Sequence, residues 1–184
     1  MDVEATALPE VKIIVPKRFG DHRGFFSETY NRASLAEAGI DLAFVQDNHS
    51  LSATPGTLRG LHFQSPPFAQ DKLVRVTKGR ILDVTVDIRA SSPRFGRHVA
   101  VELSAQNWKQ LLVPAGFAHG FVTLEPDTEV LYKVTAPYAP NNDHGLAFDD
   151  PALGIDWRIP LDALTLSEKD RKHPRLSELP RYFA

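Results

Sequence analysis

The stretch TLRGLHFQ, residues 57–64, sets two polar side chains, Arg59 and His62, into an apolar run with Leu58, Leu61 and Phe63. Further on, Lys72 opens the run KLVRVTKG, His119 follows the turn-like Pro114-Ala115-Gly116, and Tyr132 sits inside EVLYKVT. An imidazole takes up and releases protons near neutral pH. A phenol holds a proton there that it can give away. Cations hold anions or developing negative charge. Gathered into one space, these side chains would make a proton-transfer site. Taken singly, each has a plainer reading: a surface Arg, a core His bonded to backbone, a solvated strand-end Lys, a packing Tyr. Their number weighs against that, because each buried polar group left unpaired costs about 1–3 kcal/mol.

The elements around these residues must bring them together. Arg59 and His62 are three positions apart, so a regular strand would point them to opposite faces. Gly60 between them permits a bulge that turns both to one side. The first strand is expected over Val11–Val15. Asn31 is placed to cap a short helix through Ser34, Leu35 and Ala38, ended by Gly39. From Phe44 onward strands dominate: Phe44–Ser52, Thr57–Gln64, Leu73–Thr77, Ile81–Ile88, His98–Leu103, Gln110–Val113, Gly120–Leu124 and Glu129–Thr135. Ile81, Asp83, Thr85 and Asp87 alternate with Leu82, Val84, Val86 and Ile88, the pattern of a strand with one apolar and one more polar face. Turn residues separate the runs, as at Pro55-Gly56 and Lys78-Gly79. Many short strands and almost no helix predict an all-β sandwich or barrel. After Pro137 the chain is proline-rich and irregular, with one helical turn expected around Ser167–Arg171 and Ser167 as its cap.

Composition sets outer bounds. The chain has 184 residues, 42% hydrophobic and 24% charged, enough to bury a core as one domain. Lys and Arg total 21 against 23 Asp and Glu. That near balance excludes a strongly basic nucleic-acid binder but leaves room for a local pocket for a small anion. With no cysteine, thiolate metal sites, disulfides and cysteine nucleophiles are ruled out. The opening MDVEATALPE is acidic and lacks an apolar signal core, and no apolar run is long enough to span a bilayer. A cytoplasmic protein is the expectation.

Gly60 and Gly79, followed by Pro114-x-Gly116-x-x-His119, resemble the two-part signature of cupins, small double-stranded β-helix (jelly-roll) barrels. Metal-binding cupins use a His-x-His pair, a Glu and the His of the second motif. Here Gln64 stands two residues after His62, so the resemblance implies a cupin that has lost its metal. His49, His144 and carboxylates remain as ligands for a minority, metal-bound reading. The match narrows further. GDHRGFFSETY, FVQDNHS, LRGLHFQ, KLVRVTKGRILDVTVDIR, FGRHVAVELSAQN, LLVPAGFAHGF, LYKVTAPYAP, DDPALGIDW and LSEKD, in that order, resemble the dTDP-4-dehydrorhamnose 3,5-epimerases over about residues 12–175.

That resemblance implies a substrate and a set of roles. The family acts on a nucleotide-linked 4-keto-6-deoxyglucose whose C4 ketone acidifies the C–H bonds at C3 and C5. Removing a proton gives an enolate, and returning one from the opposite face inverts the centre; no redox cofactor is required. His62 matches the base and Asp170 the carboxylate that orients it. Tyr132 matches the acid across the ring, and Lys72 the cation beside the developing O4 charge. Arg23 and Arg59 match phosphate contacts. His119 and Lys169 match further substrate contacts, and Gln46, Asp47 and Asn48 match the run lining the sugar and nucleotide site. Glu28 matches a thymidine-side contact, and Tyr138 an aromatic near the base. Asp143, in Asp143-His144-Gly145, stands where the family commonly has Glu.

The family also implies a homodimer whose N-terminal arm crosses to the partner, so that Arg23 and Glu28 complete the neighbouring site. The chain divides accordingly into an arm and short helix (1–43), a barrel core (44–136) and an irregular C-terminal segment (137–184). The alternatives are a mono-epimerase acting at C3 or C5 only, a metal-dependent cupin oxygenase or isomerase, and a non-catalytic sugar-nucleotide binding module.

Overall fold

The computed structural model describes residues 1–184. In chain order the strands are β1 (Asp2–Ala5), β2 (Lys12–Val15), β3 (Phe19–Asp21), β4 (Gly24–Phe26), β5 (Gln46–Ser52), β6 (Leu58–Gln64) and β7 (Lys72–Lys78). There follow β8 (Arg80–Asp87), β9 (His98–Ser104), β10 (Gln110–Val113), β11 (Phe117–Thr123), β12 (Thr128–Val134) and β13 (Asp143–Gly145). One sheet has the order β1-β2-β10-β7-β12-β5, a second β13-β6-β11-β8-β9, and β3 and β4 form a separate hairpin. All ladder pairs are antiparallel. The two sheets make the cupin-like jelly roll that the resemblance implies, within the all-β class that the strand and turn pattern predicts.

The core has three layers. Between the sheets lie Val74, Val76, Ile81, Leu111, Phe117, Phe121 and Val130, closed at one end by Leu8 and Val11. The outer face of the five-stranded sheet, with Leu82, Val84 and Val86, is covered by Leu146, Leu153, Trp157 and Leu164 of the C-terminal segment. The outer face of the six-stranded sheet carries Ile14, Leu73 and Leu112 under Leu35 of the one α-helix, α1 (Arg32–Glu37), and Ile40 just after it. Asn31 caps α1 as expected, its side chain accepting from the Ser34 N–H at 3.2 Å. Trp157 is 2% exposed and its indole N–H donates to the Phe148 carbonyl. Burying a side chain of this kind contributes about 1.5–3 kcal/mol, so beyond its short strand the irregular segment is held largely by packing.

Two readings need correction. The N-terminal segment is not only an arm, because β1 and β2 extend the six-stranded sheet through β10. The tail contributes a strand, β13, to the other sheet. Both alternating sets of β8 are buried, Ile81–Asp87 throughout. The tail covers one face, and the polar face of Asp83 and Thr85 turns into the barrel. No helix is long and apolar enough to cross a membrane.

Candidate active site

Away from its apolar plug, the barrel interior is polar. A cavity of about 280 Å³ is lined by Ser50 of β5, Arg59 and His62 of β6, Lys72 of β7, His119 and Phe121 of β11 and Tyr132 of β12. Ser167, Lys169 and Asp170 of the tail complete it. A second space of about 200 Å³ shares His62, Lys72 and Tyr132 and extends to Gln46, Asn48, Gln64, Gln70, Tyr138 and Asp143. His62 thus comes from one sheet, and Lys72 and Tyr132 from the other.

Strand register explains how Arg59 and His62 share a cavity. β6 pairs His62 with His119 and Arg59 with Phe121. Two residues, Gly60 and Leu61, therefore stand opposite one, Gly120. This bulge resets the alternation and turns both polar side chains inward. Gly60 has φ +123°, and a Cβ there would lie 2.7 Å from Gly120 Cα and 2.8 Å from the His119 carbonyl oxygen. Only glycine fits.

His62 Nε2 lies 2.5 Å from Asp170 Oδ1. Asp170 is buried at the start of a 3-10 turn, Asp170–Lys172, and its backbone N–H donates to Ser167 Oγ at 3.1 Å. Burial pushes its carboxyl up, but His173 and His62 pull it further down, well below the usual carboxylate range. The carboxylate is therefore ionised and accepts from His62 Nε2–H, which leaves Nδ1 as the ring nitrogen not engaged by Asp170.

Lys72 is 8% exposed, and its Nζ lies 3.4 Å from the His62 carbonyl oxygen. Burial pushes the ammonium down to about 8, with Asp143 and Asp83 acting in the opposite direction. Burial raises the Tyr132 phenol, with Arg59 opposing. It stays protonated at neutral pH. A second imidazole–carboxylate pair, His119 Nε2 to Asp83 Oδ2 at 2.8 Å, lies in the cavity wall. Burial raises the Asp83 carboxyl, while His119 and then Lys72 draw it back.

At the rim Asp143 accepts from Lys169 Nζ at 2.5 Å and from the Tyr138 hydroxyl at 3.2 Å. Arg59 is held by Ser52 Oγ at 3.2 Å and the Leu51 carbonyl at 3.1 Å. Gln46 and Asn48 face inward, but Asp47 between them points to the other face of β5 and pairs with Lys133 at 2.8 Å. Period-2 alternation separates what the sequence run groups. Arg23 and Glu28 are exposed and line neither space; Arg23 pairs with Asp21 in the β3–β4 turn. The ligands of the metal-bound reading do not converge. His49 faces solvent beside Glu129, and His144 lies between Ser65 and Tyr182. His62, Asp170 and His173 do bring three donor atoms within 4.8 Å of one another, but Asp170 Oδ1 itself fills the gap between the two rings. Sequence reasoning missed Asp83, Ser50, Gln64 and His173. Asp83 was visible only as a charge inside an otherwise β-branched and aliphatic strand.

An imidazole–carboxylate pair, a buried ammonium and a phenol around one cavity of a cupin-like barrel define an enzyme that moves protons. Comparison with known proteins gives the particular kind. The model of a family described as dTDP-4-dehydrorhamnose 3,5-epimerase matches residues 5–178. A protein of that name from Sinorhizobium fredii is 53% identical over 183 residues, 100% of this chain and 93% of the relative. The structure of dTDP-6-deoxy-D-glucose-3,5-epimerase from Legionella pneumophila, in complex with dTDP-4-keto-L-rhamnose, superposes with a TM-score of 0.93 at 44% identity. It covers 100% of this chain and 99% of that one. A 3'-monoepimerase from Streptomyces bikiniensis, in complex with dTDP-quinovose, gives a TM-score of 0.87 at 32% identity, covering 94% and 87%. The chain belongs to the dTDP-4-dehydrorhamnose 3,5-epimerase family.

Proposed function

We propose that this chain inverts C3 and C5 of dTDP-4-dehydro-6-deoxy-D-glucose to give dTDP-4-dehydro-L-rhamnose, a step of dTDP-L-rhamnose biosynthesis. The observation that carries the reading is His62 of one sheet, paired with Asp170 of the tail, facing a cavity that it shares with Lys72 and Tyr132 of the other sheet.

The C4 ketone of the sugar makes the neighbouring C–H bonds acidic. His62 Nδ1 takes the proton, the electron pair moves into the C–C bond, and O4 becomes an enolate oxygen. The Lys72 ammonium stabilises that charge in a water-poor site, where a fixed cation acts most strongly. The Tyr132 phenol gives a proton to that carbon from the other face of the ring, which restores the C4 ketone and inverts the centre; Tyr132 then regains a proton from solvent and His62 releases its own to solvent. The second centre repeats these steps. Arg59 and Lys169 at the mouth supply cations for the diphosphate, with Gln46, Asn48, His119, Tyr138 and Asp143 around the sugar and nucleotide.

The working unit in this reading is a homodimer. The β3–β4 hairpin exposes Phe19, Phe25 and Phe26 at 61%, 53% and 70%, an apolar surface suited to a second copy. Arg23 on the same hairpin and nearby Glu28 would then enter the partner's cavity, which accounts for their distance from their own. A cytoplasmic setting goes with this assignment.

The test is proton NMR in D₂O with dTDP-4-keto-6-deoxy-D-glucose and a downstream reductase to trap product. Deuterium at both C3 and C5 with an L-rhamnose product is expected. Exchange at one centre only would identify a mono-epimerase, and no exchange would remove the proposed chemistry.

A further inference from the structure

We propose that His173 is a positioning residue for the reaction, holding Asp170 from behind so that its carboxylate stays aimed at His62. The proposal rests on the reading of His62 as the base.

His173 follows the 3-10 turn that begins at Asp170, and its side chain is 8% exposed. Its Nε2 lies 3.3 Å from Asp170 Oδ1, the oxygen that His62 approaches from the other side at 2.5 Å. The two rings meet edge to face at 84°, centroids 5.5 Å apart. The buried Nε2 meets hydrogen-bond geometry with no group in the chain, Asp170 included, and the Asp170 carboxylate at 3.3 Å is the one carboxylate within ion-pair distance of it. A buried nitrogen left without a hydrogen bond is costly, and the charge of that carboxylate is the contact that offsets the cost. His173 lines neither space of the cavity. Whatever it does for the reaction passes through Asp170.

The neighbouring strand is built around this ring. Gly145 of β13 lies in register with His62, and a Cβ on it would overlap the Cε1, Nε2 and Cδ2 atoms of His173. Gly145 is not among the glycines with positive φ. Its missing side chain serves space, not backbone conformation. Three elements thus converge on the pair: β6 with the base, the turn with the carboxylate, and β13 with the gap that admits the second imidazole.

The electrostatic consequence has a definite sign. With His173 present, the negative charge of Asp170 is shared between two rings. Without it, the carboxylate bears on His62 alone and stabilises the imidazolium, so His62 holds its proton to higher pH. This direction is the same whether His173 is neutral or charged. The other groups facing the pair are Lys169 beside Asp170, Lys72 at the His62 carbonyl, His119 opposite His62 on β11, and Asp143 and His144 on β13. A change at His173 leaves all of them in place.

The experiment compares His173→Phe and His173→Gln with the parent enzyme by steady-state kinetics across pH, with thermal melts of each. Phe keeps a buried ring of similar size without the nitrogen; Gln places an amide N–H near the same oxygen. His173→Phe is expected to lower kcat severalfold with KM within about twofold, and to move the acidic limb of kcat/KM to higher pH. His173→Gln is expected to recover at least half of the lost kcat and to bring the limb back. Parent-like kcat and limb in His173→Phe would overturn the proposal, as would equal losses in both variants that track their melting temperatures. His62→Ala separates the two levels. If it still exchanges substrate hydrogens, the base assignment fails; if it is inactive while His173→Phe is normal, only the role of His173 fails.

Discussion

Replacing Lys72 by Met should make the protein more stable and remove its activity. The ammonium is buried, and its pKa drops from 10.5 to about 8 on folding. That difference corresponds to about 3–4 kcal/mol at ~1.4 kcal/mol per pH unit. Met fills a similar volume without the charge, but it leaves the His62 carbonyl and the buried Asp83 without their cation. A net gain of about 1–2 kcal/mol remains after that loss, or roughly 3–6 °C in melting temperature for a chain of this size. The sign with pH follows from the depressed pKa. Below about pH 8 the folded protein carries the full cost of the charge. Between about 8 and 10.5 the folded state sheds its proton first and the cost disappears. Differential scanning calorimetry at pH 7 and at steps up to 10.5 should therefore show Lys72→Met melting higher at pH 7, with the gap closing as pH rises. A variant that melts at or below the parent at pH 7, or a gap that is constant with pH, would refute the argument. Turnover should fall by about 10²–10³, the loss typical of removing one donor from a developing oxyanion.

The same ammonium should set the alkaline limb of kcat/KM. Activity is expected to fall above about pH 8 as Lys72 loses its proton, while Tyr132, raised by burial, stays protonated; a profile flat to pH 9.5 would contradict this. Gly60→Ala should abolish activity and cost several kcal/mol, because the new Cβ meets backbone on β11. A circular-dichroism melt within 2 °C of the parent would argue against the close packing, where 2 °C is roughly the shift from ~1 kcal/mol. Subunit exchange tests the arm. Mixed dimers of inactive His62→Ala and Arg23→Ala chains should regain activity if Arg23 serves the neighbouring site, and stay inactive if it serves its own.

Much of the site is legible along the chain because strands convert spacing into direction. Lys72, Tyr132 and His119 occupy alternate positions that face the interior, and Gly60 between Arg59 and His62 announces the bulge that breaks the alternation. The same rule places Asp47 outside, between Gln46 and Asn48. The polar face of β8 is harder to read. Alternation shows that Asp83 and Thr85 share a face but not whether that face meets water, and this depends on the tail that covers the other side. His173 escapes notice for a related reason: its partners, Asp170 and the gap at Gly145, come from segments with no regular period. The short strands β3, β4 and β13 run three residues each, too few for a pattern. Arg23 and Glu28 lie exposed, away from the cavity of their own chain, and spacing along the sequence carries no sign of that distance.

The carboxylate beside His62 lies 108 positions after it in the chain. During synthesis the barrel strands from β5 to β12 emerge before Asp170 and before Trp157, which seals the outer face of β8. A growing chain can thus hold His62, Lys72 and Tyr132 and still lack the carboxylate partner of His62 and the cover of the sheet. The partner of the imidazole and the apolar cover of β8 share one C-terminal segment, so losing that segment would remove both at once.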